Sequence, residues 1–216
     1  HKPSGKVSLG SDLSIYRSLT MLEGVLDFQG HALAVNTSSL GTFQYQGGCW
    51  HHLGQLTYFG LPDLLTTNSG TFPFEDLANG GFRGIQVLGT TPVGANLMIQ
   101  FIKRPGANHD ANFQDVDQTE IMYQLYSHFL VAVEPRIGLE ELELRISADG
   151  LLLDQVGDIR VVSRGKAAQG LPIPSGIDGF PLAKRRLKWS ELFDAEFTIG
   201  SYREATVLPL LKKNGN

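Results

Sequence analysis

A mainly-β fold is what this sequence predicts: an antiparallel β-sandwich, jelly roll or barrel-like arrangement of about ten strands with one helix, an α+β arrangement being the alternative. Three observations carry that reading. Apolar and polar residues alternate with period two through Ile85 and Val87, through Leu97, Ile99 and Phe101, and through Leu142, Leu144 and Ile146, the pattern of strands buried on one face. Turn residues punctuate the chain throughout, with 25 glycines and 10 prolines. A helical period fits only one long segment. The 216 residues suffice for one core, so residues 1–216 are expected to form a single β-rich domain.

In chain order, Lys6 to Leu9 reads as a short edge strand, and Leu13 to Leu22 fits a helix and a strand equally well. Gly24 to Phe28 and Ala32 to Val35 read as strands around the turn dipeptide Gln29-Gly30. Phe43 to Gly60 stands out, because it gathers the single cysteine, Cys49, with Trp50, His51, His52 and two aromatic runs around Gly47-Gly48. Phe43 and Tyr45 alternate with polar residues before the break, and Leu56 and Tyr58 do so after it, which predicts a central hairpin. Leu61 to Asn79 is expected to be a long surface loop carrying Phe72 and Phe74 around Pro73, tucked beneath the sheet or exposed as an anchor.

Between Thr119 and Val133 the residues Ile121, Met122, Leu125, Tyr126, Phe129, Leu130 and Val133 share a helical face. Asp117 with Glu120 fits a capping box and Pro135 a stop, so a helix is predicted, although Phe129, Val131 and Val133 also fit one strand face. Arg164 to Leu187 is expected to be a second long loop, with strands at Phe197 to Ile199 and Thr206 to Leu211 closing the chain. No internal repeat of fixed period is read from the sequence.

Bulk properties bound the function. The net charge of −4, from 18 basic and 22 acidic residues, gives no electrostatic case for nucleic acid or an anionic membrane. A single cysteine rules out an internal disulfide framework. No apolar run is long enough for a transmembrane helix. No signal peptide is read, and His1 is taken as an artificial start rather than a processed terminus.

Candidate sites follow from the reactive residues. His51, His52 and His109, with Cys49 and Asp110, lack a zinc spacing, and adjacent histidines on a strand point to opposite faces. If His1 were a mature terminus, its amino group and ring with a second histidine would resemble the T-shaped copper site of the secreted oxidative polysaccharide-cleaving enzymes. The disulfides usual in those enzymes are impossible with one cysteine. No metal or other cofactor is therefore expected. Cys49 with His51 or His52 makes a poor nucleophile-base pair at that spacing, and no nucleophile elbow, phosphate loop or dinucleotide fingerprint is present.

The run Lys184-Arg185-Arg186-Leu187-Lys188-Trp189 is the strongest charge feature and reads as a plain solvated loop or as a loop contact to an acidic protein neighbour, rather than as a nucleic-acid contact. With Phe72 and Phe74 it forms the expected interface set. The 19% charged residues fall below the usual quarter and suit a subunit that buries surface. The expectation is a non-enzymatic structural subunit of a larger assembly, of the kind found in virus or phage particles, homo-oligomeric or joined to other subunits. The alternative is a small-molecule-binding protein or enzyme with a pocket at a barrel mouth near the histidines.

Overall fold

Strands of three and four residues joined by corners, not hairpins, build the first quarter of the chain. The computed structural model describes residues 5–36, 41–77, 81–103, 107–108, 123–125, 127–151, 155–163, 166–169, 171–173, 179 and 181–201. One circuit consists of β1 (Lys6–Ser8), β2 (Leu13–Ile15) and β3 (Ser18–Met21). The next consists of β4 (Val25–Asp27), β5 (Ala32–Val35) and β6 (Thr42–Tyr45), and β7 (Cys49–His51) and β8 (Gln55–Tyr58) begin another. Every pairing among them is parallel: β1, β4 and β7 on one face, β2, β5 and β8 on the second, β3 and β6 on the third. The result is a short three-sided parallel coil.

Strands this short have no independent stability, so stacking has to supply it. Register partners place like residues above one another: Leu13, Leu33 and Leu56 form one column and Ile15, Val35 and Tyr58 a second. Leu19 with Phe43 and Met21 with Tyr45 line the third face. Leu33, Val35, Phe43, Leu56 and Tyr58 are all buried. The corners are stacked too. Gly48 adopts φ +90, and a Cβ there would lie 2.5 Å from the carbonyl oxygen of Gly24 in the circuit above, so only glycine permits this approach.

Both main faces of the coil run on into a sandwich. The first is extended by β10 (Thr71–Asp76), which pairs parallel to β7 and antiparallel to β11 (Gly81–Thr90). Beyond it come β16 (Glu141–Ser147), β20 (Leu182–Lys188) and β19 (Leu171–Ile173), all antiparallel, while β9 (Leu64–Leu65) pairs with the far end of β11. The second is extended antiparallel from β8 by β12 (Asn96–Ile102), β15 (His128–Glu134) and β21 (Ala195–Ser201). On β21 lie β14 (Tyr123–Leu125) with β13 (Ala107–Asn108), and β17 (Ile159–Ser163) with β18 (Lys166–Gln169).

The core runs unbroken from coil to sandwich. Trp50 sits at the junction, with ring centroids 6.2 Å from Phe28, 5.2 Å from Phe43 and 5.6 Å from Phe74. Phe74 continues the contact to Phe129 at 5.6 Å, and Phe129 to Phe101 at 4.6 Å. At the other side a buried ionic network ties the sheets together. Arg83 and Asp76 pair at 3.3 Å, Arg83 also donates to the carbonyls of Ser147 and Asp149, and Ser127 donates to Asp76. Such groups tolerate burial only when their hydrogen bonds are supplied internally.

The mainly-β expectation holds, and several parts of it change. The sheets are mixed rather than antiparallel, because the coil strands pair in parallel. No hairpin spans Phe43 to Gly60: β6 and β8 lie on different faces with β7 between them in sequence. Likewise Gln29-Gly30 turns a corner between two sheets. The expected helix is absent among the described residues, where only 3₁₀ turns occur, at Val156–Asp158 and Trp189–Leu192. Phe129, Val131 and Val133 instead face the core of β15, whose position between β12 and β21 settles the ambiguous period as strand. The capping residues Asp117 and Glu120 and the strand expected at Thr206 to Leu211 lie outside the described residues. Leu61 to Asn79 holds β9 and the wholly buried β10, and Arg164 to Leu187 holds β18, β19 and most of β20.

The junction makes a stability forecast. Trp50→Ala should cost about 3–5 kcal/mol by chemical denaturation. Trp50→Phe should cost less than half of that, because the buried Trp50 Nε1 finds no hydrogen-bond partner among the described residues. Equal losses for the two variants would contradict the packing described.

Candidate functional site

The densest cluster of titratable groups lies on the first face where coil meets sandwich. Asp27 closes β4, His51 closes β7, and Glu75 lies near the end of β10, so the strand register sets Asp27 beside His51. His52 follows at φ +50, a left-handed corner, and its ring meets the His51 ring edge-on at 6.0 Å. The corner therefore brings together two rings that a continuing strand would separate.

Hydrogen bonds account for most of this cluster. Asp27 accepts from Lys6 Nζ at 2.5 Å, from His52 Nδ1 at 2.9 Å and from the Gln29 backbone N–H at 3.1 Å. Lys6 and His52 hold the Asp27 carboxyl far below the usual carboxylate range, against the opposing pull of burial. Glu75 is 2% exposed and accepts from Lys103 Nζ and from the backbone N–H groups of His52 and Leu77. Burial pushes its carboxyl up, but these donors outweigh burial and leave it lowered. Burial also lowers the His51 imidazole, with the Glu75 charge opposing. Lys6 thus binds the first circuit to the second, His52 bridges Asp27 to Glu75, and Lys103 reaches across from the end of β12.

Chemically this is an ionic stitch. The Asp27–His52 pair has the form of an orienting carboxylate and an imidazole base, but no hydroxyl or thiol is seen within hydrogen-bond reach of the ring among the described residues. Cys49 lies two positions before His51 and pairs in register with Val25. No group of three or more His, Cys, Asp or Glu residues is placed to hold a metal ion among the described residues. His1 and His109 lie outside them.

The residues expected at an interface divide. Phe72 and Phe74 are 0% and 2% exposed, tucked against Phe43 and Trp50, and offer no anchor. Lys184 to Lys188 is a strand, not a loop, and alternation turns Arg185 inward while Arg186 and Lys188 face solvent. Trp189 is buried and donates from Nε1 to the Pro135 carbonyl at 2.7 Å. The outward cations face acids on β16: Lys184 lies 3.4 Å from Glu143, Arg186 is the register partner of Glu143, and Lys188 that of Glu141. Burial raises the Glu143 carboxyl, yet Arg145 and Lys184 hold it low. The basic run is thus part of a mixed-charge ladder.

One surface crevice of about 490 Å³ lies beneath β6 and another of about 360 Å³ on the outer face of β8 and β12. No histidine lines either. No helix is long and apolar enough to cross a membrane among the described residues. Comparison with protein-family models, curated proteins and solved structures found no match to this chain.

The stitch makes stability depend on acid. A lowered carboxyl stabilises the fold above its unfolded value of about 3.9–4.3 and loses that contribution as pH falls. A lowered imidazole acts in the same direction, beginning near its unfolded value of about 6.5. The melting temperature should therefore fall gently below neutrality and steeply below about pH 4. Asp27→Asn should flatten the steep limb and His51→Gln the gentle one. Unchanged pH profiles in both variants would show that these groups do not link the circuits.

Proposed function

We propose that the chain is a structural, non-catalytic subunit that acts by stacking polypeptide on the open end of its coil. The observation that carries this is the first circuit. Each strand of β1, β2 and β3 pairs on one side only, with β4, β5 and β6, and among the described residues nothing pairs with the other side. Among the described residues the interior columns end there without a lid. Val7 is 59% exposed and Tyr16 60%, while Leu13, Ile15 and Leu19 are only partly covered. Terminal circuits of stacked-repeat proteins need polar caps to remain soluble alone, and free strand edges are templates for pairing. The opposite end is occupied by β10 on the first face and β12 on the second.

The histidine cluster supports the same reading, because the hydrogen bonds of Asp27, His52 and Glu75 hold circuits together. Sedimentation velocity tests the proposal. Wild-type protein at micromolar concentration should sediment faster than a monomer, and a Val7→Lys, Tyr16→Lys double variant, altered only at exposed positions, should return it to monomer with an unchanged melting temperature. A wild type that stays monomeric throughout the micromolar range, alone, would overturn it.

A further inference from the structure

We infer that the side of the sandwich where the chain crosses between its sheets is a docking surface for a basic, apolar polypeptide segment of a partner protein. Four crossings run there: residues 59–63 from β8 to β9, 91–95 from β11 to β12, 135–140 from β15 to β16 and 189–194 from β20 to β21. Register fixes their order. Leu64 pairs with Thr90 and Tyr58 with Leu97, which sets the first crossing beside the second. Gly89 pairs with Leu142 and Asn96 with Glu134, which sets the second beside the third. Glu141 pairs with Lys188 and Val131 with Ala195, which sets the third beside the fourth. The two middle crossings carry the three most exposed large apolar side chains among the described residues: Val93 at 90%, Ile137 at 83% and Leu139 at 76%. Phe59 on the first crossing and Leu64 just after it are exposed as well. Neighbouring loops that hold large apolar side chains in water mark a site of association.

Charge names the occupant. Asp63, Glu134 and Asp194 are exposed around these tips, and their carboxylates form no ion pair or hydrogen bond among the described residues. The basic residues here are engaged: Arg136 lies over the Phe193 ring at 4.5 Å, and Lys188 is the register partner of Glu141. Unpaired carboxylates around an apolar patch disfavour an anionic bilayer. They also disfavour a second copy docked face to face, where like charges would meet. Lysine and arginine on the occupant complement them. The crevice of about 360 Å³ gives such a segment its path, because it is lined by Phe59, Met98, Ala132, Glu134, Arg136 and Asp194 and so continues from the crossings onto the outer face of the second sheet. Met98 and Ala132 are register partners. An extended segment sets one apolar side chain on them and on Phe59, directs its basic side chains to Glu134 and Asp194, and covers Val93, Ile137 and Leu139 with further apolar ones. This surface shares no residue with the open coil edge, so it stands apart from assembly through the coil.

The test is fluorescence anisotropy with labelled synthetic peptides, one alternating leucine and lysine, one leucine and glutamate, and one serine and lysine. Wild-type protein should bind the leucine–lysine peptide in the micromolar range and the other two more weakly by about tenfold or more. A Val93→Ser, Ile137→Ser, Leu139→Ser variant and a Glu134→Lys, Asp194→Asn variant should each lose about tenfold or more of that affinity. All five positions are exposed, asparagine tolerates the φ of +45 at Asp194, and near-ultraviolet circular dichroism confirms that each variant folds. The Val7→Lys, Tyr16→Lys variant should bind the peptide as wild type does. Absence of binding, equal binding of the three peptides, or undiminished affinity in either crossing variant would overturn the docking surface while leaving assembly through the coil end intact. Co-sedimentation of wild type with phosphatidylcholine vesicles, abolished in the triple serine variant, would overturn it in favour of a lipid surface.

Discussion

The aromatic contact of Trp50 with Phe28, Phe43, Phe72 and Phe74 is the interaction on which the rest of the structure depends. Trp50 belongs to the coil, and Phe74 is its register partner in the first strand of the sandwich. Because the two strands are parallel neighbours, the coil and the sandwich share a sheet, and the indole fills the space where their cores merge. Aromatic pairs of this kind are worth about 0.5–1.5 kcal/mol each beyond the area they bury. The short circuits of the coil, unable to stand alone, draw on that junction. The second shared sheet, through the pairing of Leu56 with Ile99, completes it.

The surface chemistry follows from the same architecture. Stacked circuits place residues far apart in sequence side by side, and on the outer face this happens to charged groups. Lys6, Asp27 and Glu75 come from three strands, His52 from a corner and Lys103 from the residue after β12, and their pairing joins the coil to both sheets of the sandwich. Such a network has few uncommitted atoms to offer a substrate. Among the described residues, edges and apolar columns remain open at the start of the coil, and the proposed association with polypeptide rests on them.

Much of the sandwich was legible in the sequence, and most of the coil was not. Ile85 and Val87, Leu97 to Phe101, and Leu142 to Ile146 alternate over long strands, and all face the core. Coil strands of three or four residues are too short for alternation to show how they pair. Their period also slips, since the step from Val25 to Cys49 is 24 residues but that from Lys6 to Val25 is 19. The signal that was there lies in the corners: Gly24 and Gly48, and Gly30 and Gly54, recur at the same spacing because each glycine must pass beneath the one above. In the site, the proximity of His51 and His52 was visible, but Asp27 and Glu75 were not, because only the stacking of circuits brings them there. In the basic run, the alternation of buried Ala183, Arg185 and Leu187 was masked by an arginine at a core-facing position.

Native-state hydrogen exchange tests the central claim most directly, since it reads the pairing of each strand. If the coil is cooperative with the sandwich, amides of Leu33, Val35, Leu56 and Tyr58 exchange as slowly as those of Val87 and Ile99, and amides of Val7 and Ser14 exchange faster at low protein concentration. Slow exchange confined to Phe43–Tyr45 and Leu56–Tyr58, with Val25–Asp27 and Leu33–Val35 exchanging freely, would mean a hairpin rather than a coil and would contradict the account.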